Sequence, residues 1–447
     1  MASSRFSRFF CRRCGWQGTG WFGRCPECGE WGGVAEREGT RPLSEASPRP
    51  LAEASSLSAR RFSTGFPEVD RVLGGGLVPG ASILLGGDPG IGKSTLLLQI
   101  ALHVSREAKV LYASGEESAE QVRLRADRLG PIPENLYFLA TSRLEAVERG
   151  LEELSPILGV VDSLQTLEAE EVAVPAGSVA QVARAAQRLS RLAKEKGSAL
   201  FLIGHITKSG VLAGPKTVEH VVDVVLYLQG DRFSSHRLLR GAKNRFGPAG
   251  EVGVFTMGER GLEEVPSPAA FFLRERIPEV SGSVVTCSFQ GSRPFMVEVQ
   301  ALLPGPVYGS PRRVASGLDP RRVALVLAVL EKRVGLKVGQ HEAYFKVVGG
   351  LELEEPAADL AVAVATASAL RDVPVDPRCV LAGEVGLGGE LRGIPHVLAR
   401  VAEASRYGFR RFLLPRENAL EVGDRVEGVE IRGLSTLREA VEVALGA

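Results

Sequence analysis

The stretch GGDPGIGKST, from Gly86 to Thr95, has the residue types and spacing of a phosphate-binding loop. It follows the apolar run SILL and precedes STLLLQIALHV, so we expect a strand before it and a helix after it. Glycines at these spacings let successive backbone N–H groups face one point, and the N-terminus of the following helix adds positive charge. The residues predicted to contact the phosphates are Gly87, Asp88, Pro89, Gly90, Ile91, Gly92, Lys93, Ser94 and Thr95.

Two side chains of this loop predict the ligand. Lys93 is expected to bridge the β- and γ-phosphates of ATP, and the Ser94 hydroxyl is expected to hold Mg²⁺. ATP and Mg²⁺ are therefore the expected cofactors at this position.

Hydrolysis needs further carboxylates, and the ends of two apolar runs supply them. Asp162 ends the run ILGVVD, as expected for a Walker B aspartate that orders Mg²⁺ through water. Glu116 and Glu117 follow the run VLYAS, where a carboxylate can orient or deprotonate the attacking water. Spacing does not distinguish these two glutamates. The alternatives are a helix cap at Asp162 and a solvated pair of glutamates at a helix start.

The N-terminal cysteines have the spacing of a metal site. Cys11, Cys14, Cys25 and Cys28 follow the pattern C-x₂-C-x₁₀-C-x₂-C, which predicts a closed, structural Zn²⁺ site with four thiolate ligands. Two disulfides or a redox-active pair are the alternatives. The two remaining cysteines lie in apolar surroundings and are predicted to be buried core thiols; they are Cys287 and Cys379.

Length and composition indicate a multidomain globular protein of the cytoplasm. The chain has 447 residues, is 44% hydrophobic and carries a formal net charge of +1, so any affinity for a polyanion must come from local basic patches. It contains no apolar run of the roughly 18 residues that a membrane span needs. The composition changes predict a zinc finger over 1–33, a linker over 34–60, an ATPase domain over 61–270 and a further domain over 271–447.

Short apolar runs alternate with helical patterns in the ATPase segment, which predicts an α/β fold with a mostly parallel sheet. The last segment mixes both kinds of pattern and predicts an α/β or α+β domain. The expected strands of the ATPase segment are Ser82–Leu85, Val110–Ala113, Ile157–Asp162, Ala199–Gly204 and Val221–Leu228.

Several longer stretches together resemble the RadA (Sms) family of bacterial DNA-repair proteins. The stretches are DRVLGGGLVPGASILLGGDPGIGKSTLLLQIA, YASGEES, VVDSLQT, GHITKSGVLAGPKTVEHVVDVVLYL and RGAKNRFGPAGEVGVF. The resemblance covers nearly the whole chain apart from the linker. It implies a RecA-like P-loop ATPase core with an N-terminal zinc finger and a C-terminal Lon-protease-like α+β domain. It also favours Glu116 over Glu117 as the residue that acts on water.

The resemblance further implies how the protein acts on DNA. In the motif KNRFG, Lys243 and Arg245 are expected to complete a neighbouring subunit's nucleotide site and to couple it to DNA binding. A solvated basic turn is the alternative. Lys208 and Lys216 lie in an expected channel loop and would contact the phosphate backbone. His205, just before that loop, is expected either to sense the γ-phosphate or to be a packed polar residue.

The implied activity is that of a DNA-dependent ATPase, a helicase-like motor that promotes branch migration during recombination and repair. The implied assembly is a homo-oligomeric ring, expected to be a hexamer. The implied partners are single-stranded and branched DNA and a RecA-type recombinase, with no membrane. The alternatives are an ATP-binding switch or scaffold that does not translocate, an ATP-dependent protease, and a replicative helicase.

The Lon-like segment lacks the expected peptidase residues. Ala357 stands where that family has its serine nucleophile, and Arg400 stands where it has its lysine. Arginine stays protonated near neutral pH and cannot act as a base, so we expect no peptidase activity. Basic residues of this segment are instead expected to assist duplex DNA binding; they are Arg312, Arg313, Arg321, Arg322, Lys332, Arg333 and Lys346.

Overall fold

The computed structural model separates into two compact units, Met1–Ser56 and Leu57–Ala447. The ATPase and C-terminal segments thus belong to one unit. The residues that the structure describes are 9–11, 13, 16–18, 22–32, 34–36, 61–205, 217–230, 236–268, 272–307 and 309–446.

The N-terminal unit is built on a small antiparallel sheet. Strand β1 (Phe9–Cys11) lies between β2 (Gln17–Gly18) and β3 (Val34–Glu36). Its described core is Cys25 with Val34, and Trp16 packs against them. A core this small offsets little of the chain entropy lost on folding, so a metal bound by the four cysteines, as the sequence predicts, would supply folding free energy.

A nine-stranded sheet with the order β12-β11-β10-β9-β4-β8-β7-β5-β6 forms the first part of the second unit. The strands from β9 to β6 in that order are parallel, and β10, β11 and β12 extend the sheet as antiparallel neighbours. The strands are β4 (Ser82–Gly87), β5 (Val110–Ser114), β6 (Leu136–Ala140), β7 (Leu158–Asp162), β8 (Ala199–His205), β9 (Val224–Gln229), β10 (His236–Asn244), β11 (Val252–Gly258) and β12 (Gly261–Glu264).

Helices cover both faces of this sheet. Strands β4, β5 and β7 are buried along their whole length, which explains why they read as continuous apolar runs. Side chains cap the helices where polar residues precede them, as at Ser118, whose hydroxyl accepts the Gln121 N–H in a capping box. The helices are α1 (Pro67–Val72), α2 (Lys93–Val104), α3 (Ala119–Leu129), α4 (Leu144–Leu154), α5 (Val179–Lys196) and α6 (Thr217–Val221).

One of the expected strands begins later than the sequence predicts. The run from Val221 to Leu228 reads as one strand, but Val221 ends α6, and β9 starts only at Val224. The intervening Asp223 turns inward, and its carboxylate accepts hydrogen bonds from the backbone N–H and hydroxyl of Ser82. This side chain–backbone contact interrupts the β-branched run.

The C-terminal part of the second unit contains a seven-stranded mixed sheet with the order β15-β16-β14-β13-β17-β20-β21. Strands β18 (Glu384–Val385) and β19 (Leu391–Arg392) form a separate hairpin. The strands of the mixed sheet are β13 (Ser283–Gln290), β14 (Arg293–Leu302), β15 (Arg313–Ser316), β16 (Ala343–Val347), β17 (Cys379–Leu381), β20 (Arg411–Pro415) and β21 (Glu430–Leu434).

The helices of this part pack an alanine-rich core against the mixed sheet. Helix α8 is buried from Asp359 to Ser368, and it lies against β13 and β14. Cys287 and Cys379 are buried, as predicted, and burial raises the pKa of the Cys379 thiol to about 12. The helices are α7 (Pro320–Val329), α8 (Asp359–Arg371), α9 (Val397–Arg406), α10 (Arg416–Val422) and α11 (Leu437–Leu445).

No helix in the described parts of the chain is both long and apolar enough to cross a membrane.

Candidate nucleotide-binding site

The glycine-rich loop connects the carboxyl end of β4 to the first turn of α2. Gly87, Gly90 and Gly92 all have positive φ angles, of 154°, 78° and 116°. A Cβ atom on Gly87 would lie 2.5 Å from the carbonyl oxygen of Leu228 on β9, so only glycine fits there. At Gly90 a Cβ would meet nothing within 4 Å, so that side of the loop is open. The loop therefore has a packed side and a side open to a ligand.

The side chain of Lys93 folds back onto the glycine-rich loop that precedes it. Its side chain is buried, and Nζ donates hydrogen bonds to the carbonyl oxygens of Gly87, at 2.7 Å, and Asp88, at 3.0 Å. Burial lowers the pKa of Lys93, while the nearby carboxylates of Asp162, Asp88 and Glu116 act in the opposite direction. The ammonium group is thus held at the place where phosphates are expected to bind.

Asp162 ends β7 beside the loop. Its carboxylate accepts hydrogen bonds from the hydroxyls of Ser94 and Tyr112, the latter at 2.8 Å. Burial raises the pKa of Asp162, and these two hydrogen bonds oppose the shift. Burial also raises the pKa of Tyr112, so this phenol remains a hydrogen-bond donor. A hydroxyl and a carboxylate in contact are suitable oxygen ligands for Mg²⁺, so Ser94 and Asp162 fit the predicted metal site.

The structure gives the two adjacent glutamates different partners. The hydroxyl of Ser163, next to Asp162, donates to Oε1 of Glu116 at 2.6 Å. Glu117 forms an ion pair with Arg125 of α3. Glu116 also lies close enough to Lys93 to influence its charge. Glu116 is therefore the one that belongs to the cluster around the loop.

Four residues of this site were not predicted from the sequence: Tyr112, Arg125, Ser163 and Arg237. Tyr112 and Ser163 lie on or next to the strands that carry the predicted carboxylates. Side chains alternate between the two faces of a strand, so Tyr112 lies on the same face of β5 as Ser114, two residues before Glu116. This alternation could have indicated that Tyr112 belongs to the site. Arg237 donates from its Nε to the carbonyl oxygen of Ile91 at 2.9 Å, and no local pattern indicates this contact.

Lys243 lies away from the end of the sheet that carries the loop of its own chain. It pairs with Val225 of β9, and Val225 pairs with Leu84 of β4. Leu84 lies three positions before Gly87, a distance of roughly 10 Å along a strand. Lys243 and the loop that begins at Gly87 are thus not brought together within one chain.

The basic side chains of the KNRFG motif are engaged within the chain. Nζ of Lys243 donates to the carbonyl oxygens of Glu219 and Val222, both at 2.7 Å, at the end of α6. The guanidinium of Arg245 contacts the buried carboxylate of Asp223 at 3.1 Å, and Lys194 contacts the same oxygen at 3.0 Å. Burial alone would raise the pKa of Asp223, but the hydrogen bonds from Lys194 and Ser82 outweigh it and lower the pKa.

Some predicted residues lie outside the part of the chain that the structure describes. They are Cys14, Lys208 and Lys216. For Cys11 and His205 only the backbone is described. Cys25 is buried and Cys28 is exposed, and the Gly29 N–H donates to the Cys25 carbonyl oxygen at 3.0 Å in a tight turn. Within the described residues, no three His, Cys, Asp or Glu side chains form a metal-binding group.

The C-terminal domain has a buried ion pair where a peptidase dyad is absent. Arg400 is fully buried, and its guanidinium contacts both carboxylate oxygens of Glu355, at 2.8 and 2.6 Å. The guanidinium also lies 4.8 Å from the ring centroid of Phe289. Ala357, two residues after Glu355, is buried and carries no hydroxyl. Arg400 is therefore a packing residue whose charge is compensated by Glu355.

One of the basic residues expected to assist DNA binding is engaged inside the domain. Arg322 forms an ion pair with the buried carboxylate of Asp359 at the start of α8. The other six are exposed, among them Arg312, Arg313 and Arg321.

Three family models match the chain. An AAA domain matches residues 47–211, a rubredoxin metal binding domain matches residues 9–36, and the subunit ChlI of Mg-chelatase matches residues 333–418. With the mixed, largely parallel sheet, these matches confirm the predicted fold class: a RecA-like P-loop core, an N-terminal zinc ribbon and a C-terminal Lon-protease-like domain.

Two solved structures resemble part of the chain. The KaiC-like protein PH0186 from Pyrococcus horikoshii is 21% identical with a TM-score of 0.39, and covers 46% of this chain and 99% of its own. The RadB recombinase is 25% identical with a TM-score of 0.36, and covers 45% of this chain and 99% of its own.

Full-length relatives are much more similar. The DNA repair protein RadA of Halalkalibacterium halodurans is 44% identical, covering 98% of this chain and 99% of the relative. That of Listeria monocytogenes is also 44% identical, covering 99% of each. That of Bacillus subtilis is 43% identical, covering 98% of this chain and 99% of the relative. The chain belongs to the RadA family of DNA repair proteins.

Proposed function

We propose that this protein is a DNA-dependent ATPase that drives branch migration of recombination intermediates during DNA repair. The observation that carries the proposal is the convergence of Lys93, Ser94, Asp162 and Glu116 around one glycine-rich loop. Lys93 and Ser94 begin α2, whereas Asp162 ends β7 and Glu116 follows β5. Lys93 interacts with both carboxylates, and Asp162 also accepts a hydrogen bond from Ser94. Each has the chemistry that phosphoryl transfer to water requires.

In the proposed mechanism, each side chain has a separate task. Lys93 leaves the carbonyl oxygens of its loop and pairs with the β- and γ-phosphates. Ser94 would hold Mg²⁺ and Asp162 would order it through water, and the bound ion would neutralise phosphate charge. Glu116, kept in position by Ser163, orients and deprotonates the attacking water.

The position of the KNRFG motif supports action between subunits. Lys243 and Arg245 lie near the edge of the sheet that is remote from their own loop, so a nucleotide they reach would belong to a neighbouring copy. We propose that they complete that neighbour's site in a ring of six subunits. Lys208 and Lys216 would contact the phosphate backbone of single-stranded or branched DNA inside the ring, and a RecA-type recombinase would supply the joint molecules.

The two flanking domains have supporting tasks in this proposal. Cys11, Cys14, Cys25 and Cys28 would hold Zn²⁺, as the match to a rubredoxin metal binding domain supports. The C-terminal domain would serve as a platform that binds DNA rather than as a peptidase, because neither Ala357 nor Arg400 can supply dyad chemistry.

The test is the rate of ATP hydrolysis by the full chain with and without single-stranded DNA, together with unwinding of branched substrates. We expect DNA to raise the rate, and Lys93→Ala to lower it by at least about 100-fold because the β- and γ-phosphates lose their charge partner. Lys109→Ala is a matched control, because this exposed lysine lies before β5 and outside the site. A rate that is unchanged by DNA would instead favour an ATP-binding switch or scaffold that does not translocate.

A further inference from the structure

Arg237 is a buried cation that contacts the phosphate-binding loop from another part of the sheet. Only 7% of its surface is exposed. Its Nε donates to the carbonyl oxygen of Ile91 at 2.9 Å, and Nη1 donates to the carbonyl oxygen of His236 at 2.6 Å. The contact joins residues 146 positions apart in the sequence.

Strand pairing explains how Arg237 reaches the loop. Leu238 of β10 pairs with Gln229 at the end of β9, and Leu228 of β9 pairs with Gly87 at the end of β4. The start of β10 therefore lies at the same edge of the sheet as the loop. Gly230 provides room for the side chain, since a Cβ there would lie 3.0 Å from the Cδ of Arg237.

The hydrogen bond to Ile91 fixes the direction of a second group. The carbonyl of Ile91 and the N–H of Gly92 belong to one planar trans peptide unit, so they point in opposite directions. With the carbonyl held toward Arg237, the Gly92 N–H points away from it. In a loop of this type the backbone N–H groups on that side face the phosphates.

The Ile91–Gly92 peptide needs a partner that holds its orientation, because the glycines on either side allow this peptide unit to rotate. Gly90 and Gly92 have φ angles that L-residues with side chains avoid, and glycine passes easily between conformations. Without a partner for the Ile91 carbonyl, this peptide unit could turn over and present an oxygen, which repels phosphate, where an N–H is required.

We propose that Arg237 is a positioning residue for nucleotide binding, holding the Ile91–Gly92 peptide so that the Gly92 N–H donates to the β-phosphate of a nucleoside di- or triphosphate. The inference rests on the proposed function, since it assumes that the loop binds ATP. It adds a residue that acts through the backbone and touches no substrate atom.

The test compares Arg237→Met, which keeps apolar bulk but removes the donor, with Arg237→Lys, which keeps one charged donor. The probe is a fluorescent ADP in the absence of added Mg²⁺, so that binding reports the loop and not the metal site. We expect Arg237→Met to weaken ADP binding about 10- to 100-fold, the loss expected for one charge-assisted hydrogen bond. Arg237→Lys should recover part of that loss. Arg240→Met, on the same strand, is the control and should bind within about twofold of wild type.

Thermal unfolding without nucleotide separates positioning from a merely structural role. Normal ADP affinity in the folded fraction of Arg237→Met, whether or not its unfolding midpoint falls, would overturn the inference. If Arg237→Met does not fold, the ADP affinity of Arg237→Lys is the test. An affinity equal to that of wild type overturns the inference, and a reduced affinity at an unchanged unfolding midpoint supports it. A wild-type chain that binds no ADP even after Mg²⁺ is added would overturn the proposed function, and the inference with it.

Discussion

At the scale of residues, the different partners of Glu116 and Glu117 divide their roles. Glu116 is held by Ser163 beside Asp162, whereas Glu117 is paired with Arg125. The carboxylate of Glu117 is thus occupied by an ion pair outside the cluster around the loop. We expect Glu116, and not Glu117, to act on the attacking water.

The different partners of the two glutamates predict losses of activity of different size for two conservative substitutions. Glu116→Gln should lower kcat for ATP hydrolysis by about 100-fold or more while ATP still binds, because general-base catalysis typically contributes 10²–10⁴-fold. Glu117→Gln should change kcat by less than about tenfold. Steady-state hydrolysis and ATP binding on both variants provide the measurement. Equal losses in the two variants would contradict the assignment.

At the scale of elements, Lys243 holds the end of α6. Three backbone carbonyl oxygens lie around its ammonium group, which satisfies acceptors that a helix C-terminus leaves without partners. This helix follows the expected channel loop directly. A Lys243 that reaches a neighbouring subunit's nucleotide must release α6, so the two contacts exclude each other.

The contact predicts a local effect of Lys243→Met, which keeps the aliphatic bulk of the side chain. We expect amide hydrogen exchange over residues 217–222 to accelerate by about tenfold, equivalent to roughly 1.4 kcal/mol of local stability, because charged hydrogen bonds at a helix C-terminus are worth about this much. Exchange in β4 should not change. Lys194→Met, which removes a different cation near the same edge, controls for loss of charge. Unaltered exchange over 217–222 would show that Lys243 does not hold α6.

The buried Arg400–Glu355 pair joins elements of the C-terminal domain. Arg400 lies on α9, Glu355 precedes α8, and the guanidinium also donates to the carbonyl oxygen of Cys287 on β13. A buried charge without its partner is strongly destabilising, so removal of either Arg400 or Glu355 alone would leave the other charge uncompensated. Arg400 thus contributes to packing between these elements.

At the scale of the whole molecule, the N-terminal unit and the unit that follows it have separate cores. The described core of the first is limited to Cys25, Val34 and Trp16, whereas the second contains large apolar clusters on both of its sheets. Their stabilities should therefore respond differently to metal removal.

Chelation is expected to unfold the N-terminal unit alone. With Zn²⁺ removed, residues 9–36 should become sensitive to protease, while the thermal unfolding of 57–447 should stay within about 2 °C of its original midpoint, since large apolar clusters stabilise that unit. Re-addition of Zn²⁺ should restore protection. Cys28→Ser should reproduce the effect of chelation, and Cys379→Ser, a buried cysteine in the other unit, should not. Protease resistance of 9–36 without metal would refute the zinc site.

The phosphate loop, Asp162 and the glutamate pair could be predicted because each depends on neighbouring residues. A phosphate-binding loop between a strand and a helix requires glycine, lysine and serine at consecutive positions. A carboxylate that ends a buried parallel strand lies at the edge of the sheet where ligands bind. The start of β9 could not be predicted, because the contact of Asp223 with Ser82 on another strand overrides the local β preference.

The amino-acid sequence alone determined which residues are candidates for chemistry: the glycine-rich loop, the carboxylates that accompany it, the four N-terminal cysteines, and the alanine and arginine at the positions expected for a peptidase dyad. Each follows from the type and local spacing of side chains. Tertiary structure decided which glutamate faces the loop, that Arg237 holds Ile91, and that Lys243 is remote from its own loop. These depend on strand order and register, which bring together residues far apart in the sequence, 47 positions for Glu116 and Ser163 and 146 for Arg237 and Ile91, and no local pattern encodes such contacts.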